Sequence, residues 1–250
     1  MNSFSENECL LLKIDESWLW HRRLDHIHTN HLNKLKSKDL VSGLPNIKFQ
    51  NNRLCDACVK VKQIRTSFKA KDVVSINKAL DVLHMDLFGP SRTASLAGNF
   101  YALVIVDDFS RYTWTVFLAS KNDAYKAFKK LAKVLHNENE NIIKQIRSDH
   151  GGEFQNAKFD RFYEKHGIIH SYSAPRTPQQ NGVVERKNRS LEELARTMLN
   201  ESNLPKYFWA DAVYTASYVL NRTLIKPILK KTPYELYKGR KPSIMKMKIA

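Results

Sequence analysis

Three acidic residues have the types and spacing of a metal-dependent reaction centre. Asp86 lies inside the apolar run LHMDLFGP, Asp149 closes IIKQIRSD just ahead of HGGEF, and Glu185 sits in NGVVERKNR, with 35 residues between the last two. Carboxylates from two neighbouring strands and one nearby helix can converge, and in a basic protein such a cluster is tolerable only when cations neutralise it. Hard oxygen donors select Mg2+ or Mn2+. Two such ions a few ångströms apart activate an attacking oxygen and stabilise a leaving one during in-line displacement at phosphorus, so the chemistry expected is that of phosphodiesters.

A second set of ligating side chains precedes them. His21-x4-His26 is followed by Cys55-x2-Cys58, and four donors of borderline softness suit tetrahedral zinc. A closed set of four implies a structural ion, whose binding would supply much of the folding free energy of a small basic segment. His28 and His31 can each take the place of a chosen histidine, because spacing does not fix which imidazoles converge. Cys9 falls outside the pattern.

The elements that must position these residues are legible as changes in periodicity. DVLHMDLF, NFYALVIVDD and RYTWTVFL are β-branched or aromatic runs separated by turn-like segments, and predict a meander of three strands. KNDAYKAFKKLAKVLHNE repeats apolar positions at helical spacing through Ala124, Phe128, Leu131 and Leu135, and leads into IIKQIRSD as a crossover helix and parallel strand. FDRFYEKHG, IIHSYS and NGVVERKNRSLEELARTML then predict helix, strand and long helix. Thr177-Pro178-Gln179-Gln180 has the form of a capping box from which a helix could start, putting Glu185 about two turns in; Gly182 weakens that start and makes a loop through Pro175–Gly182, with the helix starting nearer Val183, equally consistent. Asp107 and Asp108 end a strand, where Asp bonds its own backbone. PKYFWADAVYTASYVLNRT predicts one more helix, opened by Pro205, with Phe208, Trp209 and Tyr214 as packing residues. The end, SIMKMKIA, carries no fold signal and reads as truncated or divergent.

Composition narrows the partners. The 250 residues are 42% hydrophobic, enough for a real core, and carry a net charge of +16. That excess excludes a coiled coil or a neutral metabolic enzyme as the simplest reading and points to a polyanion. The charge divides as +6 over residues 1–80, +2 over 81–180 and +8 over 181–250, so basic flanks enclose a nearly balanced middle. Arg186, Lys187 and Arg189 surround Glu185 and either bind phosphates or form a solvated basic face, with Gln180 and Asn181 as candidate contacts to a polyanion beside the site. Three cysteines with one tight pair argue for a reducing compartment, cytosol or nucleus. The start lacks a signal-peptide pattern, and no run reaches the ~20 apolar residues that span a bilayer.

WHRRLDHIHTNHLNKL, CDAC, LHMDLFGP, VIVDDFSRYTWTVFL, RSDHGGEF, SAPRTPQQNGVVERKNR and LPKYFWADAVYTASYVLNR together resemble the integrase segment of Ty1/copia-type retrotransposon polyproteins, over nearly the whole chain. The resemblance implies an α/β fold: a ribonuclease-H-like core, a mixed five-stranded sheet with flanking helices, preceded by a small helical zinc-binding module. It implies a pre-integrase module over 1–66, a linker over 67–80, a catalytic core over 81–222 and a basic, truncated C-terminal extension over 223–250. Asp86, Asp149 and Glu185 become a D,D-35-E triad holding two Mg2+ or Mn2+ ions, and His21, His26, Cys55 and Cys58 hold Zn2+. The implied activity is 3′-end processing of linear element DNA followed by strand transfer into host DNA. Double-stranded DNA, a homo-oligomer, no membrane, and a nuclear location with a cytoplasmic particle stage come with it. Two alternatives stay open: a catalytically inactive DNA-binding remnant, and a ribonuclease or resolvase on the same fold. The family usually has Gly at the places of Asp25 and Val61, so strain is expected wherever the fold needs a positive φ there. His150 replaces a commoner Asn.

Overall fold

The computed structural model describes residues 16–50, 55–61, 76–138, 141–173 and 182–245. Three short helices come first: α1 (Glu16–Arg23), α2 (Thr29–Ser37) and α3 (Asp56–Val61). Trp20, Leu24, Leu32, Leu35 and Phe49 from this region are buried together as a small core of their own.

Strands β1 (Val82–Phe88), β2 (Tyr101–Asp107) and β3 (Thr113–Leu118) form the expected antiparallel meander. Helix α4 (Ala124–Glu138) crosses to β4 (Gln145–Ser148), which pairs parallel with β1. Helix α5 (Ala157–His166) returns the chain to β5 (Ile169–Tyr172), parallel to β4. The side chain of Asn156 caps α5 by accepting from the Lys158 and Phe159 amides, and Gly167 ends it at φ 63°, a conformation without Cβ penalty only for glycine. The sheet order is β3-β2-β1-β4-β5, the mixed five-stranded architecture implied by the resemblance.

Strand alternation divides the core in two. Leu83, Met85, Leu103 and Ile105 face Phe128 and Leu135 of α4 and Phe159 and Phe162 of α5. Val104 and Val106 face the other way, against Val184, Leu191 and Ala195 of α6 (Gly182–Glu201) and Ala212, Val213 and Ala216 of α7 (Trp209–Thr223). Asp86 is registered opposite Val104, which puts it on the sheet face that α6 covers. Among the predicted packing residues, Trp209 lies between the rings of Phe88 and Phe117, whereas Tyr214 is 59% exposed. One helical position separates the two outcomes: Val213 already fills the inward face.

The C-terminal segment is built into the molecule. Helix α8 (Pro233–Lys238), capped by Thr232, sends Tyr237 into the core against Tyr112 and Trp114, with ring centroids 4.7 and 5.0 Å apart. Beyond it, the Ser42 amide donates to the Pro242 carbonyl at 3.0 Å and the Ile244 amide to the Ser42 carbonyl at 3.1 Å. Ile244 is thereby buried in the N-terminal core, beside Leu32 and Leu35. Among the described residues no helix is long and apolar enough to cross a membrane.

Candidate active site and metal centre

Asp86, Asp149 and Glu185 arise from three different elements and meet in one electrostatic field. Asp86 stands in β1, Asp149 directly follows β4, and Glu185 is in the first turn of α6. The carboxyl of Asp86 is pushed up to about 7, by burial first, then by the charge of Asp149, with Glu185 adding to it. Hydrogen bonds from the Leu87 backbone and the Asn188 side chain pull the other way and are outweighed. Like charges gathered around a half-buried carboxyl are what a divalent cation relieves, so the oxygen donors present fit Mg2+ or Mn2+.

The surroundings fix these acids. The Asn188 side-chain amide donates from Nδ2 to Asp86 Oδ2 at 2.7 Å; its own Oδ1 is buried and has no hydrogen-bond partner. Asn188 follows Glu185 by three residues, so one helical face presents both, a spacing the sequence already contained. Asp149 Oδ1 accepts from the Gly151 amide at 3.1 Å. A Cβ at Gly151 would come 2.7 Å from the Glu153 carboxyl carbon and 3.1 Å from Asp149 Oδ1, so a larger residue there would displace the Glu153 carboxylate. Lys121 pairs with Glu153 at 3.2 Å. His150 stacks on Tyr172, ring centroids 4.7 Å apart. Asp107 behaves as expected of a turn residue, accepting from the Leu80 amide at 2.8 Å and the Ser110 amide at 2.7 Å, while Asp108 meets His84 and Arg111.

The basic residues flanking Glu185 do not share one environment. Arg186 and Arg189 are exposed, and the Arg186 guanidinium lies over the start of α6 at Gly182. Lys187 is 7% exposed, and burial, with the nearby charge of Arg111, brings its ammonium down to about 8. Expected at a phosphate, Lys187 instead turns inward, because helical geometry points it away from the face carrying its two neighbours. Gln180 and Asn181 lie outside the described residues, and the described part of the long helix begins at Gly182.

The His/Cys set converges as the spacing suggested. The ligand atoms of His21, His26, Cys55 and Cys58 all lie within 4.8 Å of one another. His26 Nδ1 is 3.1 Å from His21 Nε2 and 3.2 Å from Cys55 Sγ, and Cys58 Sγ is 3.7 Å from His21 Nε2. Tetrahedral zinc with N and S donors needs separations of ~3.3–3.8 Å. The tautomers follow from the acceptors. His21 Nδ1 donates to the Ile27 carbonyl at 2.9 Å, and His26 Nε2 donates to the Glu201 carboxylate. In neutral rings the other nitrogens, His21 Nε2 and His26 Nδ1, then present lone pairs to each other and to two sulfurs, an arrangement that calls for a cation between them. The competing histidines are otherwise engaged: His28 Nδ1 caps α2 by accepting from Asn30, and His31 Nε2 donates to the Thr223 carbonyl at 2.6 Å.

The turn joining the two histidines runs through Asp25 at φ 57° and His26 at φ 58°. The strain expected at Asp25 is therefore present. Its carboxyl is also buried, with neither oxygen hydrogen-bonded, and burial followed by the Glu201 charge raises it to about 8. Val61 is the last residue of helix α3.

Residues 77–178 match the integrase core domain family, and residues 1–63 match the GAG-pre-integrase domain family. The retrovirus-related Pol polyprotein from transposon TNT 1-94 of Nicotiana tabacum is 36% identical over 92% of this chain and 17% of its own length. That from transposon RE1 of Arabidopsis thaliana is 32% identical over 92% of this chain and 15% of its own. The chain thus spans about a sixth of the length of these relatives. Among solved structures, it is similar in fold to the simian T-cell lymphotropic virus intasome in complex with PP2A regulatory subunit B56 gamma. The TM-score is 0.52 at 20% identity, covering 73% of this chain and 62% of that one.

Proposed function

We propose that this chain, an integrase core domain joined to a GAG-pre-integrase domain and homologous over most of its length to the Ty1/copia-type Pol polyproteins, trims the 3′ ends of element DNA and transfers them into host DNA. The observation that carries this reading is the shared field at Asp86: acids at the end of β4 and the start of α6 both act on the buried carboxyl carried by β1. Asp86, Asp149 and Glu185 would hold the catalytic Mg2+ or Mn2+. When bound, two such ions supply Lewis acidity at the scissile phosphate and lower the pKa of the attacking oxygen.

The chain's own residues orient the rest. Asn188 fixes one Asp86 oxygen, and the Gly151 amide fixes one of Asp149, so the donors are held before substrate arrives. Arg186 and Arg189, exposed beside Glu185, bind backbone phosphates, and Gln180 and Asn181 contact DNA just ahead of α6. His21, His26, Cys55 and Cys58 would hold a structural Zn2+. The same three carboxylates serve both steps, with water as the first nucleophile and a DNA 3′-hydroxyl as the second. Joining two DNA ends calls for association with further copies, and the site of action is the nucleus.

The test is incubation of the folded chain with Mn2+ and labelled linear terminal-repeat DNA. Nicked and joined products that Glu185→Gln abolishes are the expected result. Cleavage of RNA–DNA hybrid without joining would select a ribonuclease, and DNA binding without any product would select an inactive remnant.

A further inference from the structure

Helix α6 reaches both candidate centres. Glu185 stands in its first turn and Glu201 is its last residue, 16 positions and ~24 Å further along the axis. At that far end one oxygen of Glu201 accepts from His26 Nε2 and the other from Arg22 Nε. His26 lies past the end of α1, at positive φ, so no helix sets the direction of its ring. The ring is buried, and Glu201 holds its Nε2 while Nδ1 points at His21 and Cys55. Helix α3, which carries Cys58, packs along α6 as well.

We infer that Glu201 is the positioning residue of the His2Cys2 site: it orients His26 for zinc and ties that site to the helix bearing Glu185. This rests on the zinc reading given above. A carboxylate on the far nitrogen of a ligating imidazole fixes the tautomer, aims the lone pair and raises its basicity. By linkage, an ion that needs His26 in this pose stabilises the His26–Glu201 contact in return, and with it the last turns of α6. A GAG-pre-integrase module that docks in this way makes zinc occupancy a determinant of order in the catalytic helix.

The experiment is zinc titration of the full chain against a chromophoric chelator, for the parent, Glu201→Ala, Glu201→Gln and Arg22→Ala. Glu201→Ala should weaken zinc about 10- to 100-fold. Glu201→Gln should recover part of the loss, since its amide oxygen still accepts from His26. Arg22→Ala, which breaks the other half of the contact without touching a ligand, should stay within about twofold of the parent. Amide exchange should show zinc protecting residues 195–201 in the parent and not in Glu201→Ala. Equal zinc affinity in parent and both Glu201 variants overturns the proposal. A parent chain that binds no zinc overturns the His2Cys2 reading itself. Should Glu201→Ala not fold, Glu201→Gln decides: unchanged affinity and unchanged protection count against the role.

Discussion

Asn188 donates to Asp86 across 2.7 Å, from the helix that carries Glu185 to the strand at the centre of the sheet. One hydrogen bond thus joins two of the three elements on which the acids stand. Replacing Asn188 by Ala frees the Asp86 carboxyl to rotate and removes an interaction that lowers its pKa. We expect metal-dependent DNA nicking to fall about 10- to 100-fold, with folding retained. Normal activity at every Mn2+ concentration would show that Asn188 only fills space.

In the metal-free chain Asp86 keeps its proton to about pH 7, so a divalent ion must displace it. Mn2+ binding at pH 6 should release close to one proton and at pH 8.5 almost none, with affinity falling about tenfold per pH unit below 7. Calorimetric titration in two buffers of different ionisation enthalpy measures this directly. The sign for folding is the opposite of a salt-bridged acid. Because the folded pKa lies above the ordinary aspartate value of 3.8, metal-free stability declines as pH rises from about 4 to 7. Glu185→Gln removes one repelling charge, so its metal-free form should melt above the parent at pH 7.5.

Asp25 combines a left-handed backbone with a buried carboxyl that has no hydrogen bond. Asp25→Gly relieves both and should stabilise the metal-free chain by about 1–2 kcal/mol in a urea titration. A loss of stability would mean that the carboxyl has a stabilising partner in solution.

Ile244 is fully buried in the N-terminal core, although about 200 residues separate it from its neighbours there. Ile244→Ala should cost about 2–5 kcal/mol, and Ile244→Val about 1 kcal/mol, by thermal unfolding followed by circular dichroism. If Ile244→Ala melts with the parent, the C-terminal segment does not hold the two cores together.

Much of the centre was legible in advance because its signals are local. Apolar runs around Asp86 and Asp149 mark strands, helical spacing marks the crossover, and β4 and β5, with one helix between them, pair parallel for steric reasons. The CxxC pair and the two histidines announced their chemistry through side-chain type alone. Asn188 stands one turn from Glu185, but no local signal marks its role, because its partner is 102 residues away.

What the chain itself determined, then, is which segments become strands and helices and which side chains are competent to bind metals. Only the tertiary structure decided that Lys187 turns inward while Arg186 and Arg189 stay exposed, that His28 and His31 serve as cap and tether and not as ligands, and that Ile244 and Glu201 reach the N-terminal module. The physical reason is range. Periodicity and ligand chemistry act over a few residues, whereas burial and long-range hydrogen bonds depend on which distant surfaces the packed sheet and helices bring into contact.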